Sequence, residues 1–320
     1  MKNRKAAIVG AGFVGASIAY TLMLGNTADE IVLIDIDRKK AQGEADDIAH
    51  GVDGIANSSV YAGDYSDCRN SSIIIITAGR GRLPGESRLD LAAENIKIIR
   101  NVIASIGQYY NGCPVLMISN PVDILTASAE HLLCQPEGRI FGSGCMLDSS
   151  RFRRIIARTV FPGDNLSQTD CAKSINAFVI GEHGDAQIPL WSGVSVCGKS
   201  PEKYCEEHDI VWNNDIKQSI YTETKNMGAS IIKAKGKTHY GIAVCAARIA
   251  RAVLEDEQFI ASVSSTMGLG TDNIRASLSL PSVIGGQGVL SRVSIDTSPA
   301  EKELFEKSTV SMTDMLKKLL

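Results

Sequence analysis

The chain has 320 residues, of which 44% are hydrophobic and 22% are charged, and its formal net charge is −3. This is the composition of an ordinary globular protein, and the length favours two domains over one. The slightly acidic charge excludes a broad basic surface for nucleic acid or an anionic membrane, so any anion-binding site has to be local.

The beginning of the chain and its cysteines bear on where the protein works. MKNRKAAIVGAG passes from charged residues directly into an apolar strand, without the apolar stretch and cleavage site of a signal peptide. No apolar run approaches a membrane-spanning length. The eight cysteines form no C-x-x-C pair and no cluster with histidine at metal-ligand spacing. We therefore expect reduced cysteines, no metal and a cytoplasmic protein.

Short apolar runs alternate with helix-like segments through the first half of the chain. Continuous runs such as IIIIT are typical of strands buried on both faces, and the alternation is typical of parallel strands joined by right-handed helical crossovers. The pattern predicts an α/β domain with a doubly wound parallel sheet. The predicted strands are KAAIV, EIVLID, SSVYAG, SSIIIITAG, PVLMISN and RIFGSG.

A glycine motif joins the first strand to a helix predicted over residues 16–24. Gly10 permits a tight turn, Gly12 lets a pyrophosphate approach the backbone, and Gly15 allows close packing of the helix. The helix N-terminus adds N–H donors for phosphate. Asp35 ends the next strand, where its carboxylate can accept both ribose hydroxyl hydrogens of NAD and would repel the extra phosphate of NADP. Together these residues predict NAD binding rather than a plain tight turn.

Three arginines lie in the segment GRGRLPGESRLDL, residues 79–91, where glycines and a proline oppose helix formation. Arg80, Arg82 and Arg88 give this loop a local positive charge within an acidic chain. One interpretation is a solvated loop. The other is that the arginines bind an anionic ligand.

The sequence pattern changes after Gly144, from regular alternation of strands and helices to a less regular mixture of the two. Residues 209–235 and 240–255 read as helices, the first from apolar side chains near a helical period, and a charged amphipathic helix is predicted from about residue 299. The runs SINAFVIG, FIASVSST and RASLSLPSVIG are strand-like. We expect a mixed α/β second domain over residues 145–320, after a first domain over residues 1–144.

The segment IGEHGD places His183 between glycines at the end of a predicted strand. Hydride transfer to a carbonyl needs a proton donor, and imidazole titrates in the useful range, so NAD binding makes His183 a candidate acid/base, with a structural histidine as the alternative. Asp148, in MLDSSR, could orient that histidine or simply cap the helix it begins. Arg151 follows on the same helical face and can hold a carboxylate in bidentate geometry.

Seven motifs together resemble the NAD-dependent L-lactate/L-malate dehydrogenase family over essentially the whole chain. They are, in order, GAGFVG, IDID, PGESRLDL, SNPVDILT, MLDSSRFR, IGEHGD and KTHYGIA. The resemblance implies a Rossmann NAD-binding domain, a substrate-binding domain and a small 2-oxo or 2-hydroxy acid as substrate. It also implies a homo-oligomer, either a dimer or a tetramer.

The same resemblance implies a role for each candidate residue. His183 would be the general acid/base, and Asp148 would orient it. Arg151 would bind the substrate carboxylate, while Arg88, on a mobile loop, would polarise the ketone as the loop closes. These roles agree with the chemistry, because a guanidinium matches a carboxylate and a cation stabilises developing oxyanion charge.

Further residues would define the pocket and its selectivity. By resemblance, Asn120 would contact the substrate oxygen and place the nicotinamide, Thr238 would line the substrate pocket, and Ile242 would pack on the nicotinamide ring. Lactate dehydrogenases typically carry glutamine where this chain has Arg82, whereas malate dehydrogenases carry an arginine that pairs with the second carboxylate of oxaloacetate. Glu86 is typical of the lactate enzymes and would either repel a dianion or mask Arg82.

The overall texture favours L-lactate dehydrogenase with appreciable oxaloacetate activity, and L-malate dehydrogenase is the alternative. A short-chain ketoreductase is a weaker one, because Tyr221 and Lys225 match its Y-x-x-x-K pattern but lie late in the chain. A Rossmann protein that senses NAD without catalysis is the last alternative. It would need neither His183 nor the arginines.

We predict weak or absent activation by fructose 1,6-bisphosphate. Family members that respond to it resemble one another in carrying an arginine and a histidine that hold its phosphates at a subunit interface. Arg153 matches the arginine, but Asn176 occupies the histidine position, and an amide cannot carry positive charge. Pyruvate saturation curves with and without the bisphosphate test this. A large fall in the half-saturating pyruvate concentration would contradict the prediction.

Overall fold

The computed structural model describes residues 4–320 apart from 53, 82, 84, 162–170 and 267–274, and the side chain of Arg88 is also outside the description. In the first half, parallel strands lie in the order β3-β2-β1-β4-β5-β6, which confirms the predicted doubly wound sheet. Their bounds are β1 Lys5–Val9, β2 Glu30–Ile34, β3 Ser59–Ala62, β4 Ile73–Ile76, β5 Val115–Met117 and β6 Ile140–Gly142.

The isoleucine run of β4 shows why this sheet is covered on both faces. Ile73 and Ile75 belong to the core on one face, and Ile74 and Ile76 belong to the core on the other. Successive side chains of a strand point to opposite faces, so an uninterrupted apolar run requires helices on both. The helices of this half are α1 Phe13–Leu24, α2 Arg38–His50, α3 Arg88–Gly107 and α4 Val122–Leu133.

The second half extends the same sheet with antiparallel strands and adds helices, as the predicted mixed α/β domain requires. Strand β11 (Phe259–Ser265) pairs with β6, and β12 (Leu278–Gly285) pairs with β11. The other strands are β7 Ile175–Asn176, β8 Val179–Gly181, β9 Gln187–Pro189, β10 Ser195–Val196 and β13 Gly288–Arg292. The helices are α5 Met146–Val160, α6 Pro201–Glu207, α7 Asn214–Lys235, α8 Tyr240–Glu255 and α9 Pro299–Leu319. Short 3₁₀ turns span Tyr65–Cys68, Ala172–Ser174 and Trp191–Gly193.

Some predicted boundaries were wrong by a few residues. The helix predicted from residue 209 begins at Asn214, because the Asn213 side chain accepts a hydrogen bond from the Ile216 N–H and caps it there. The strand-like run SINAFVIG is divided, since β7 pairs with β10 in a small separate sheet while β8 pairs with β12 in the main one. The first helix begins at Phe13 rather than at residue 16.

Helix α8 links the two halves. Its buried residues Ala243, Ala246 and Ala250 share a core with Ile18 and Leu22 of α1, so residues beyond 144 complete the packing of the first half. The division into domains 1–144 and 145–320 therefore stays a prediction. Within the described part of the chain, no helix combines the length and apolarity needed to cross a membrane.

Candidate active site

The glycine turn after β1 has the shape of a pyrophosphate cradle. Gly10 has φ of +107°, and a Cβ there would lie 2.7 Å from the backbone nitrogen of Ala78. A Cβ at Gly15 would overlap the carbonyl oxygen of Gly10, whereas the space beside Gly12, just before α1, is open. Two glycines are thus needed for packing, and the third leaves the helix N-terminus accessible to a phosphate.

Asp35 lies directly after β2 and is tied to that turn. Its Oδ2 accepts a hydrogen bond from the Ala11 N–H at 2.7 Å, and its Oδ1 accepts one from the Asp37 N–H at 3.0 Å. A carboxylate oxygen has two lone-pair sites, so each oxygen can accept a ribose hydroxyl in addition. The glycine turn and Asp35 together fit an adenosine ribose and a pyrophosphate, as NAD requires.

His183, Asp148 and Arg151 form a connected triad. His183 Nδ1 lies 2.6 Å from Asp148 Oδ2, and Arg151 Nη1 donates to Asp148 Oδ1 at 3.1 Å. Helix α5 begins after Cys145, so Asp148 lies in its first turn and its oxygens face the two cations instead of capping the helix. The Asp148 side chain is 3% exposed and that of His183 is 27% exposed, which leaves the imidazole accessible from the cavity.

Burial and charge act in opposite directions on this triad. Burial alone would raise the pKa of the Asp148 carboxyl, but His183 and Arg151 outweigh it and hold that pKa below its ordinary value. Burial alone would lower the pKa of the His183 imidazole, but the Asp148 carboxylate outweighs it and raises that pKa above 6.5. Asp148 therefore favours the protonated imidazolium over the neutral imidazole.

The triad opens into a cavity of about 460 Å³. Gly228 lies beside the Arg151 guanidinium, because a Cβ there would be 3.6 Å from Arg151 Nη1. Arg82 lies outside the described residues, as does the side chain of Arg88, whose backbone begins α3. The predicted site residues that line the cavity are Asn120, Asp148, Arg151, His183, Thr238 and Ile242.

The arginine loop contains an internal ion pair that its sequence did not predict. Arg80 binds Glu86 in bidentate fashion, with Nη1 donating to Oε2 at 2.8 Å and Nη2 bonded to Oε1. Glu86 Oε2 also accepts the Leu83 N–H at 2.9 Å. In this conformation the partner of Arg80 is a carboxylate of the loop itself, a third possibility beside a solvated arginine and an external anion.

Two fully buried polar residues near the site, Asn95 and Asp123, were not predicted from the sequence. Asn95 on α3 donates to the carbonyl oxygens of Arg80 and Asn120, at 3.1 and 2.7 Å, so it ties the arginine loop to the SNPVD segment. Asp123, in the first turn of α4, accepts the backbone N–H of His183 at 2.7 Å. A polar side chain on an otherwise apolar helical face was the available signal for both.

The Y-x-x-x-K residues have other partners. The Tyr221 hydroxyl donates to the carbonyl oxygen of Gln187 at 3.2 Å, and Lys225 pairs with the exposed Asp185 at 3.5 Å. Only Lys225 of the two lines the cavity. Because the tyrosine hydroxyl points at a backbone oxygen, it is poorly placed to act as a proton donor to a ketone.

Two family models match the chain. The model described as lactate/malate dehydrogenase, NAD binding domain, matches residues 4–142, and the alpha/beta C-terminal domain of the same family matches residues 145–320. The chain is 37% identical to an L-lactate dehydrogenase of Acetivibrio thermocellus, over 99% of this chain and 97% of the relative. It is 39% identical to an L-lactate dehydrogenase of Thermoanaerobacterium saccharolyticum, over 98% and 99%.

Solved structures of similar proteins agree with these relatives. A lactate dehydrogenase from a Medee basin deep-sea metagenome superposes with a TM-score of 0.91 at 32% identity, over 100% of this chain and 99% of that one. The lactate dehydrogenase of Cryptosporidium parvum, solved with lactic acid and nicotinamide adenine dinucleotide, superposes with a TM-score of 0.89 at 28% identity, over 100% and 98%.

We expect NADH to be preferred over NADPH, and the preference to depend on Asp35. Removing a charged acceptor of two ribose hydroxyls costs roughly 1.5–3 kcal/mol, so Asp35→Ser should lower kcat/KM for NADH about 10-fold or more while that for NADPH rises. Asp47→Asn, which neutralises an exposed carboxylate of α2, is the matched control and should leave the ratio unchanged. Equal efficiency of wild type with both cofactors would contradict the assignment.

Proposed function

The chain belongs to the lactate/malate dehydrogenase family, and on that premise we propose that it is an NAD-dependent L-lactate dehydrogenase that reduces pyruvate to L-lactate. The observation that carries the proposal is the short hydrogen bond from the His183 imidazole to the buried Asp148, within a cavity that Arg151 also lines. A proton donor beside a carboxylate-binding cation is what the reduction of a 2-oxo acid needs.

Each residue of the triad has a defined task in this proposal. NADH, when bound, supplies the hydride. Arg151 binds the substrate carboxylate and so orients the ketone towards His183. Asp148 holds the imidazole through Nδ1, and the proton passes from Nε2 to the substrate oxygen as that oxygen becomes a hydroxyl. Asp148 favours the imidazolium, which is the form of His183 that can donate a proton.

Other site assignments rest on the family resemblance. Arg88 is proposed to polarise the ketone, and Asn120 to contact the same oxygen and the nicotinamide. Thr238 and Ile242 are proposed to line the substrate and nicotinamide sides of the cavity. We also propose that the loop moves over the site as the resemblance implies, and that the ion pair between Arg80 and Glu86 preserves the shape of the loop during this movement.

The alternatives are less consistent with these findings. Malate dehydrogenase is not favoured, since the relatives and solved structures above are lactate dehydrogenases. Arg82 remains the reason to expect some reduction of oxaloacetate. Membership of an enzyme family argues against an NAD sensor and against a short-chain ketoreductase.

We also propose a cytoplasmic homo-oligomer, a dimer or a tetramer. The adjacent helices α1 and α8 expose Tyr20, Leu24, Tyr240 and Val244, each by 45% or more, and several exposed apolar side chains on neighbouring helices support an interface between subunits. All eight cysteines are free, which supports a reducing compartment. The two-domain division at residue 144 belongs to the same proposal.

We predict that His183→Asn lowers kcat for pyruvate by about two to four orders of magnitude, the usual contribution of a positioned general acid, while the Kd for NADH stays within a few-fold of wild type. Reduction needs the protonated imidazole, whose pKa is raised, so wild-type kcat/KM should be constant at low pH and fall as pH rises through a value above 6.5. Lactate oxidation should show the opposite slope. Stopped-flow NADH absorbance and fluorescence measure both. Turnover of His183→Asn close to wild type would refute the proposal.

We predict that Arg82→Gln changes the choice between substrates. A desolvated arginine–carboxylate pair matters by roughly 2–5 kcal/mol when one partner is removed, so the substitution should lower kcat/KM for oxaloacetate at least 10-fold and leave that for pyruvate within a few-fold. Arg100→Gln is the matched control, because it removes an exposed positive charge from α3 outside the arginine loop. If wild type shows no oxaloacetate activity and Arg82→Gln leaves pyruvate reduction unchanged, Arg82 does not contact the variable end of the substrate.

A further inference from the structure

A second buried carboxylate lies behind the acid/base histidine. Asp123 is fully buried in the first turn of α4, and its Oδ2 accepts the backbone N–H of His183 at 2.7 Å. Its Oδ1 accepts the hydroxyl of Ser264 on β11 at 2.6 Å, and Ser264 in turn lies 2.8 Å from the hydroxyl of Ser277. The carboxylate therefore joins three segments: α4, the strand beneath it and the histidine loop.

These partners distinguish Asp123 from an ordinary first-turn acid. An aspartate near a helix N-terminus commonly serves its own helix, by capping it or by stabilising the helix dipole from the surface. Asp123 is instead buried, and the hydrogen bonds described above go to other elements. Burying a charge is unfavourable, so a retained buried carboxylate needs specific donors, and here one of those donors is the catalytic residue itself.

The charged groups around His183 come from several elements. Helix α5 contributes Asp148, which contacts the ring, and Arg151, which opposes the imidazolium charge. Helix α4 contributes Asp123, which contacts the backbone and whose charge raises the pKa of His183. Asp185 of the same loop and Lys225 of α7 line the cavity as a mutual ion pair, so much of their effect cancels.

We propose that Asp123 is a positioning residue for the proposed reaction. It fixes the backbone of His183, and its carboxylate, which is more distant than that of Asp148, also stabilises the protonated imidazole. This role rests on the proposed function of His183 as the proton donor. Asp148 sets the orientation of the ring, and Asp123 sets where the ring is attached. Asn120 and Asp123 belong to the same segment, Asn120-Pro-Val-Asp123, so the segment that contributes Asn120 to the cavity also anchors the histidine.

The test measures the His183 pKa directly, without substrate. Histidine-labelled protein is titrated by NMR, and the resonance of His183 is assigned by its loss in His183→Asn. We expect Asp123→Asn, which removes charge at constant shape, to lower that pKa by about 0.5 unit or more, because a carboxylate this close favours the charged form. Asp215→Asn makes the same change at an exposed side chain of α7 outside the cavity, and Ser264→Ala removes a hydrogen bond but no charge. Both should shift it by less than about 0.2 unit, since solvent screens the first and the second keeps the carboxylate.

Kinetics supply a second readout. In Asp123→Asn the falling limb of kcat/KM for pyruvate should move to lower pH by the same amount, kcat at neutral pH should fall several-fold, and the Kd for NADH should not change. An unshifted His183 pKa in Asp123→Asn overturns the inference, whether or not activity is lost. Absence of pyruvate turnover in wild type would instead refute the proposed function, and the NMR comparison would still decide the role of Asp123.

A charge swap covers the case in which Asp123→Asn does not fold. The double variant Asp123→Ser/Ser264→Asp keeps one carboxylate within the same buried pair but moves it away from the His183 N–H. We expect a lower His183 pKa than in wild type, in the direction of Asp123→Asn. A swap variant with the wild-type pKa would contradict the inference.

Discussion

The carboxylate of Asp148 has been taken out of water, and it is stable there only because an imidazole and a guanidinium take the place of the solvent. Each of its oxygens has one named partner, His183 for Oδ2 and Arg151 for Oδ1. An unpaired buried charge would cost several kcal/mol, so the three side chains hold one another in place. Arg151 lies one helical turn further along α5, whereas His183 belongs to a separate segment that follows β8.

The extended sheet brings His183 close to Asp148. Strand β6 leads into α5, and β11 and β12 connect β6 to β8, at whose end His183 lies. The antiparallel extension therefore carries the histidine back towards the carboxyl edge of the parallel strands, where the glycine turn and Asp35 also lie. Ligands of doubly wound sheets bind at this edge, so the glycine turn and the triad lie at the same edge of the sheet for a topological reason.

The sequence predicted what depends on local pattern and missed what depends on tertiary proximity. The strands of the first half follow from apolar runs, and the glycine motif from the conformations that only glycine adopts. Asp148, Arg151 and His183 could be paired because their chemistry is complementary. Asp123 could not be linked to His183, 60 residues away, because a backbone N–H leaves no trace in the sequence. The Arg80–Glu86 pair was missed because three arginines in one loop suggested a ligand more strongly than an internal partner.

The charge state of the cavity connects binding to chemistry in the proposed reaction. A 2-oxo acid enters as an anion, and Arg151 already shares its charge with Asp148, so a second positive charge nearby favours entry. The imidazolium of His183 provides that charge, and Asp148 favours it against the cost of burial. The group that attracts the substrate is then also the group that loses a proton to it. After transfer the neutral imidazole no longer compensates the product carboxylate, so the same electrostatics that favour binding of the oxidised acid also favour release of the hydroxy acid.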